Sequence, residues 1–207
     1  MGARDCERLR PLAEMVRRRY GVPTIVTLGQ ALEESGCGIS SLAQAGNNVF
    51  GIHGVAAGST PCEAGGTSQC RTYRSLEDGF NDYGRILSTV SRYRGAFQYR
   101  TDPYKFITWI WGAGYATSST YALNVVRRMR AIDPSLPEPP ATLVSLWDRI
   151  SSTPYNERPA LLAQLGQVGS TYYASGLFAP PTWVWIASGI LGLALIGGIV
   201  LYRRRGK

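Results

Sequence analysis

The stretch from Gln30 to Gly54, QALEESGCGISSLAQAGNNVFGIHG, holds the residue types and spacing best suited to chemistry. It carries a carboxylate, Glu34, near the end of a helix-forming segment. Ser35-Gly36-Cys37-Gly38 follows, then a polar loop, then Asn47-Asn48-Val49-Phe50-Gly51-Ile52. Glycines beside a carboxyl group let a long polymer approach the backbone closely. General acid catalysis of glycoside cleavage needs a carboxyl group kept protonated by partial burial, because the leaving oxygen must receive a proton as the C–O bond breaks. More commonly, a glutamate on a helix is a solvated charge. The neighbouring Glu33 points about 100° around the helix, so only one of the pair can face a common groove.

The elements that must hold this carboxylate can be read from periodicity. Leu9, Leu12, Ala13, Val16 and Tyr20 recur at helical spacing, with Arg8, Arg10, Arg17 and Arg18 largely on the other side. Gly21-Val22-Pro23 breaks the chain and opens a second helix through Glu34, which Gly36 and Gly38 end. Residues 47 to 74 carry short apolar or Thr/Tyr runs interrupted by glycines, the pattern of a small β-lobe. Ser75-Leu76-Glu77-Asp78 reads as a capping box before a helix with Phe80, Tyr83, Leu87 and Val90 on one face. Asp102-Pro103 caps a helix carrying Phe106, Ile107, Trp109 and Ile110. Ser118 or Ser119 is expected to cap the last helix, with Ala122, Val125, Val126 and Met129 inward, ending before Pro134. The pattern is α+β, mostly helical.

The blocks Ala31-Leu32-Glu33-Glu34-Ser35-Gly36-Cys37-Gly38 and Asn47-Asn48-Val49-Phe50-Gly51-Ile52-His53 resemble the signature of family 73 glycoside hydrolases, bacterial wall hydrolases with a glucosaminidase domain. Arg71-Thr72-Tyr73-Arg74-Ser75, the helix start Leu76 to Tyr83, and Gly114-Tyr115-Ala116-Thr117 are similar to later blocks of that family and keep its order. The resemblance covers about residues 10 to 133 and implies a lysozyme-like fold. It also implies that Glu34, rather than Glu33, is the acid. Glu63 falls near the place of a second catalytic carboxylate in many members, others relying on the substrate's own acetamido group. An exposed hairpin charge is the alternative for Glu63. Tyr115 is expected to line the groove and contact the sugar or the reacting centre; Asn48, Phe50 and Tyr73 are further groove candidates, each equally compatible with a structural role. His53 stands where the family usually has Lys, and Cys37 where it usually has Trp. The Cys37 departure puts substrate affinity in question.

With 24 glycines, 12 prolines and only 17% charged residues, the 207-residue chain is one turn-rich domain plus an extension. Its net charge of +8, mostly arginine, suits a polyanionic surface. Nucleic acid is not expected as a partner, because no helix-turn-helix, zinc-finger or RNP pattern is present. No cofactor is implied, and with one histidine and no CxxC pair no metal site is expected. Cys62 and Cys70 flank a Glu-Ala-Gly-Gly turn and could close a hairpin. Two antiparallel helices joined at Gly21-Val22 would bring Cys6 near Cys37. The preferred pairing is therefore Cys6–Cys37 and Cys62–Cys70, with four reduced thiols as the alternative.

From Thr182 to Tyr202 there is no charge, and Arg203, Arg204, Arg205 and Lys207 follow at once. This reads as a transmembrane helix bracketed by Trp183, Trp185 and Tyr202, with the basic tail on the cytoplasmic side. Small residues at Ser188/Gly192 and Ala194/Gly198 allow helix pairing and hence an oligomer. The organisation expected is a lysozyme-like domain over 1–134, a Pro-containing spacer or stalk over 135–181 with a short helix candidate around Leu143 to Ile150, a membrane helix over 182–202 and a tail over 203–207. Residues 1 to 20 lack a secretory h-region, an expectation that points to placement by another assembly such as the internal membrane of a phage virion, with a bacterial inner membrane as the alternative and the domain on the wall-facing side in either. The partners expected are peptidoglycan glycan strands and membrane lipid. The function implied is an endo-β-N-acetylglucosaminidase on peptidoglycan. A muramidase or lytic transglycosylase on the same fold, or a non-catalytic wall-binding membrane protein, is the alternative.

Overall fold

A computed structural model describes residues 3–54, 58–62 and 66–169. A 3-10 segment, Ala3–Leu9, leads into α1 (Arg10–Tyr20), whose first turn accommodates Pro11. Gly21 ends α1 in the left-handed conformation, at φ 81°, with its N–H on the Arg17 carbonyl. Any residue with a Cβ would be strained there. Helix α2 (Thr24–Ser35) then runs back with Val26 to Ala31 all buried. It is central because it is enclosed on several sides, and Gly29 shows how closely. A Cβ at Gly29 would lie 2.5 Å from Met129 Cγ of the helix over Tyr121–Ile132.

After α2 come a short α3 (Ser41–Gly46) and a two-stranded antiparallel sheet, β1 (Ser59–Pro61) and β2 (Gln69–Arg71), with Thr60 opposite Cys70. Helix α4 (Leu76–Thr89) starts at Ser75, whose Oγ accepts the Asp78 N–H at 3.1 Å. It buries Phe80, Tyr83 and Leu87 as their spacing predicts. The 3-10 segment Ser91–Tyr99 leads to α5 (Pro103–Gly112), capped by Asp102 through the Lys105 N–H. Helix α6 (Tyr121–Ile132) follows and packs along α2. Its cap differs from expectation. Thr120 is the N-cap and makes no side-chain capping bond, while Ser118 is used through its carbonyl, which accepts from Trp111 Nε1 at 2.8 Å.

The described part of the expected spacer is helical, and its first helix covers the candidate around Leu143 to Ile150. Residues 135 to 169 form α7 (Ala141–Ser152), α8 (Arg158–Leu162) and two flanking 3-10 turns, Tyr155–Glu157 and Ala163–Gln167. Leu143, Leu146, Trp147 and Ile150 are buried. Trp147 Nε1 donates to Thr108 Oγ1 of α5 at 2.7 Å, Tyr104 Oη donates to the Pro137 carbonyl at 2.6 Å, and Leu162 lies against Gly112. The physical reason is a helical apolar stripe behind a proline run: 143, 146, 147 and 150 share one face, and burying it outweighs the polar, Pro-rich local composition.

Two disulfides join Cys6 to Cys37 and Cys62 to Cys70, with Cα–Cα distances of 5.2 and 4.9 Å. The first ties the N-terminal segment to the turn that ends α2. The second spans the mouth of the hairpin. Among the described residues no helix is long and apolar enough to cross a membrane. The expected membrane helix, 182–202, and the tail, 203–207, lie outside the described residues, as do residues 170–181 of the expected spacer.

Candidate active site

Glu34 is the penultimate residue of α2 and looks into a cleft of about 740 Å³. The floor of that cleft is built by aromatic packing. Phe50 stacks on Tyr83 with centroids 3.9 Å apart and meets Phe80 edge-on at 4.9 Å. Gly51 follows at φ 59°, and a Cβ there would come within 3.8 Å of Glu34 Oε2. Having no side chain, Gly51 keeps one oxygen of the carboxyl group open toward the cleft.

The other oxygen is held. Tyr121, the first residue of α6, donates its hydroxyl to Glu34 Oε1 at 2.6 Å. Gln30 lies one turn before Glu34 on the same face of α2, and its Nε2 donates to Tyr121 Oη at 2.9 Å. The Gln30 Oε1 in turn accepts from Tyr83 Oη at 2.7 Å. Tyr83 can only donate to an amide oxygen, which orients the Gln30 amide. The Gln30 N–H then occupies a lone pair of Tyr121, leaving the tyrosine proton for Glu34. Every link is buried or partly buried, so water does not compete strongly.

Burial pushes the Glu34 carboxyl above the ordinary carboxylate range; the Tyr121 bond opposes this, and the nearby Glu33 charge adds to it. Glu33 itself turns to α6, where it accepts from Arg128 Nε at 2.8 Å and Asn124 Nδ2 at 3.1 Å. The two adjacent glutamates thus have separate environments, one ion-paired at the rim and one desolvated beside the cleft.

Tyr115 lines the same cleft, partly buried, with its ring 5.7 Å from that of Tyr121 and 6.4 Å from that of Tyr93. Its hydroxyl donates to the Phe50 carbonyl at 3.4 Å. Burial, with the Glu34 charge second, holds that phenol well above its usual range. It is a neutral hydrogen-bonding group.

The other expected groove residues divide. Phe50 lines the cleft; Asn48 and Tyr73 do not. Asn48 is fully buried and spends both amide protons on the Ile52 and Arg71 carbonyls, at 3.0 and 2.8 Å, while its oxygen accepts the Ile52 N–H at 2.9 Å. It fastens the loop before Gly51 to β2. Tyr73 donates to Asp82 Oδ2 at 2.8 Å, and Arg71 reaches the same oxygen at 2.7 Å, so the tyrosine supports the β-lobe from behind. Glu63 lies outside the described residues. Among the described residues, Glu33 and Glu34 are the acidic groups lining the cleft.

His53 sits exposed at the rim and pairs in a β-bridge with Cys70. His53, Cys62 and Cys70 offer donor atoms within 4.8 Å of one another, but the two sulfurs are joined, which removes the thiolates a soft metal would need. Cys37, standing where the related pattern has Trp, is fully buried and bonded to Cys6. A covalent tie thus replaces aromatic packing beside the carboxylate.

Sequence reasoning missed Gln30, Tyr83 and Tyr121 as members of the site. One signal was available: Gln30 and Glu34 are four apart on one helix and must share a face.

A mostly helical unit with a small two-stranded lobe, and a carboxyl group at a helix end over an open cleft, defines the lysozyme-like glycoside hydrolase fold. The catalytic domain of the autolysin Auto from Listeria monocytogenes is similar to it (TM-score 0.53, 24% identity, 62% of this chain and 82% of that one). So is the glycoside hydrolase domain of FlgJ from Salmonella typhimurium in a C-terminally truncated form (TM-score 0.50, 26% identity, 64% of this chain and 97% of that one). The glucosaminidase family, described as mannosyl-glycoprotein endo-beta-N-acetylglucosaminidase, matches residues 10–134, and the chain belongs to that family. In sequence it is 32% identical over 142 residues to the peptidoglycan hydrolase FlgJ of Vibrio parahaemolyticus, covering 60% of this chain and 46% of the relative. It is 31% identical over 136 residues to that of Pseudomonas aeruginosa, covering 58% and 34%. The chain thus spans less than half the length of these relatives.

Proposed function

We propose that this protein hydrolyses peptidoglycan, cutting β-1,4 bonds of the glycan strand as an endo-β-N-acetylglucosaminidase. The observation that carries this reading is the Glu34 carboxyl group, its pKa raised by burial, with one oxygen fixed by Tyr121 and the other facing an open cleft. The relatives whose names include peptidoglycan hydrolase support the substrate.

In this mechanism Glu34 gives its proton to the glycosidic oxygen as the bond to the anomeric carbon lengthens. The carboxylate left behind is stabilised by the Tyr121 hydroxyl, an interaction stronger after proton transfer than before it, which is the condition for catalysis. Positive charge developing on the sugar is met by Glu63 or by the substrate's acetamido oxygen; water then bonds to the anomeric carbon and gives up a proton, which restores the Glu34 carboxyl group. Tyr115, neutral and hydrogen-bonded to the Phe50 carbonyl, offers a polar face to the sugar there.

The test is fragment release from purified wall sacculi by the full chain, beside Glu34→Gln. Mass spectrometry of the new reducing ends distinguishes GlcNAc, expected here, from the MurNAc of a muramidase and the anhydro-MurNAc of a lytic transglycosylase. Binding without cleavage by the wild type would instead make the protein a wall-binding component.

For placement, we propose a single membrane span over 182–202, with the domain on the wall side and the basic tail on the cytoplasmic side. The support is the uncharged run and the cluster Arg203, Arg204, Arg205 and Lys207. A lipid-containing virion, in which the enzyme opens the host wall during genome entry, fits this arrangement. Detection in purified virions supports that placement, and recovery solely from host membranes rejects it.

A further inference from the structure

Among the described residues, the cleft is lined by one arginine that belongs to no ion pair. Of the charged groups lining it, Glu33 is paired with Arg128, Glu34 is hydrogen-bonded to Tyr121, and Arg71 is paired with Asp82. Arg92 is different. It is exposed on the cleft wall, and none of the ion pairs among the described residues includes it.

Yet Arg92 is not loosely held. Its guanidinium sits 4.8 Å over the Tyr93 ring, and Nη2 donates to Tyr93 Oη at 2.8 Å. Its carbonyl accepts from Trp109 Nε1 at 3.1 Å, which fixes the backbone. Tyr93 is itself buried and packs toward Tyr115, so the cation is anchored to the aromatic wall that lines the cleft with Glu34. Stacking on an aromatic ring orients a guanidinium and leaves its remaining N–H donors free for an anion in the plane of the fork.

We propose that Arg92 is a specificity-determining contact that binds a carboxylate carried by the substrate strand. This rests on the reading of the cleft as a peptidoglycan site. The N-acetylated sugar rings are neutral, and the lactyl carboxyl of a substituted muramic acid is spent in the amide bond to its peptide stem, so the anion comes from a free carboxylate of that stem. A planar bidentate pair with arginine suits such a carboxylate. A polymer of N-acetylglucosamine alone lacks this group, and Arg92 selects against it.

The experiment measures sedimentation of the full chain with wall sacculi, using Glu34→Gln so that nothing is cut. Arg92→Gln in that background is expected to bind about tenfold more weakly, the loss typical of a charge-assisted hydrogen-bonded pair. Arg94→Gln, two residues along and outside the cleft lining, removes the same net charge and is expected to change binding by less than about twofold. Arg92→Lys should recover part of the affinity, as a point charge without the fork.

On sacculi whose carboxylates have been capped with methylamine by carbodiimide, the Arg92→Gln deficit should vanish. A deficit that persists on capped sacculi, or an equal loss in Arg94→Gln, overturns the proposal. Wild-type release of fragments from sacculi is scored separately, so failure of the hydrolase reading is distinct from failure of this contact. Thermal melts of each variant verify folding.

Discussion

The Tyr121 hydroxyl and the Glu34 carboxyl group are 87 residues apart in sequence and 2.6 Å apart in space. Their bond opposes the burial that raises the Glu34 pKa. Tyr121→Phe removes the donor and leaves burial unopposed. The pKa should therefore rise further, and the alkaline limb of the pH–rate profile, where the acid loses its proton, should move to higher pH. At the optimum kcat should fall by about 10–100-fold, the equivalent of about 1.5–3 kcal/mol for a hydrogen bond to a charged group. A fall in rate with the limb unmoved would separate Tyr121 from the acid.

Gln30 acts on the acid through Tyr121 and is a positioning residue. Gln30→Leu keeps most of the volume but removes both bonds, freeing Tyr121 to turn its proton elsewhere and stranding the Tyr83 hydroxyl. Stability should drop by about 1–3 kcal/mol through that buried unsatisfied group. The pH profile should shift in the direction of Tyr121→Phe, by less. A stability loss with an unmoved profile would make Gln30 structural alone.

Glu34 also makes a thermodynamic prediction. Its pKa is raised on folding, so between the unfolded and folded values the native state holds a proton that the unfolded chain has lost. Stability then falls as pH rises through that window. Glu34→Gln, which never ionises, should match the wild type at pH 3 and be the more stable of the two at pH 8, while kcat drops by about 10²–10⁴-fold. Denaturant titrations at the two pH values and a single-turnover assay check both halves. The trade of stability for a protonated acid is the behaviour expected where function imposes strain on a fold.

Much of this arrangement was legible in the chain, for reasons that also explain what was not. Helices α1, α2, α4 and α5 announce themselves because apolar spacing, Gly21, Gly36 and the Ser75 and Asp102 caps agree locally. The disulfide partners follow from two helices turning back at Gly21 and from a short hairpin. Tyr121 was not legible as a site residue, because an aromatic at the start of an amphipathic helix reads as core and its partners Gln30 and Glu34 are far away in sequence. Asn48 misled in the opposite sense. It lies in the most recognisable motif of the chain, but its amide is consumed by backbone groups.

Asp82 gathers three donors. Burial alone would raise its pKa, but the bonds from Arg85, Tyr73 and Arg71 together hold it below the usual range. A lowered carboxylate contributes stability that is present above its unfolded pKa and is lost as pH falls through its folded pKa. Asp82→Asn should therefore destabilise at pH 7 by about 1–3 kcal/mol, since it loosens the ion pairs of Arg71 and Arg85, and by much less in strong acid. Because Arg71 closes the sheet beside the cleft, substrate affinity should fall with it. Urea titrations at pH 7 and pH 2 give the stability difference.

Residues 135–169 close the domain behind α5, and their removal is a stringent test of where the folding unit ends. Trp147 is 4% exposed and bonds Thr108, which is wholly buried. Trp147→Ala should cost about 3–5 kcal/mol, combining a lost aromatic with a cavity. Ending the chain at Pro134 removes in addition the cover that Leu143, Leu146, Ile150 and Leu162 give to α5 and α6. Phe106, Ile107, Ile110 and Trp111 lie on the buried α5, which also leads into the Gly114-Tyr115 turn of the cleft. A chain ending at Pro134 should therefore melt with reduced cooperativity and lose activity, while one ending at Gly169 keeps both. Equal melting of the two would mean that the glucosaminidase unit folds without its C-terminal helices, and that α7 and α8 only decorate it.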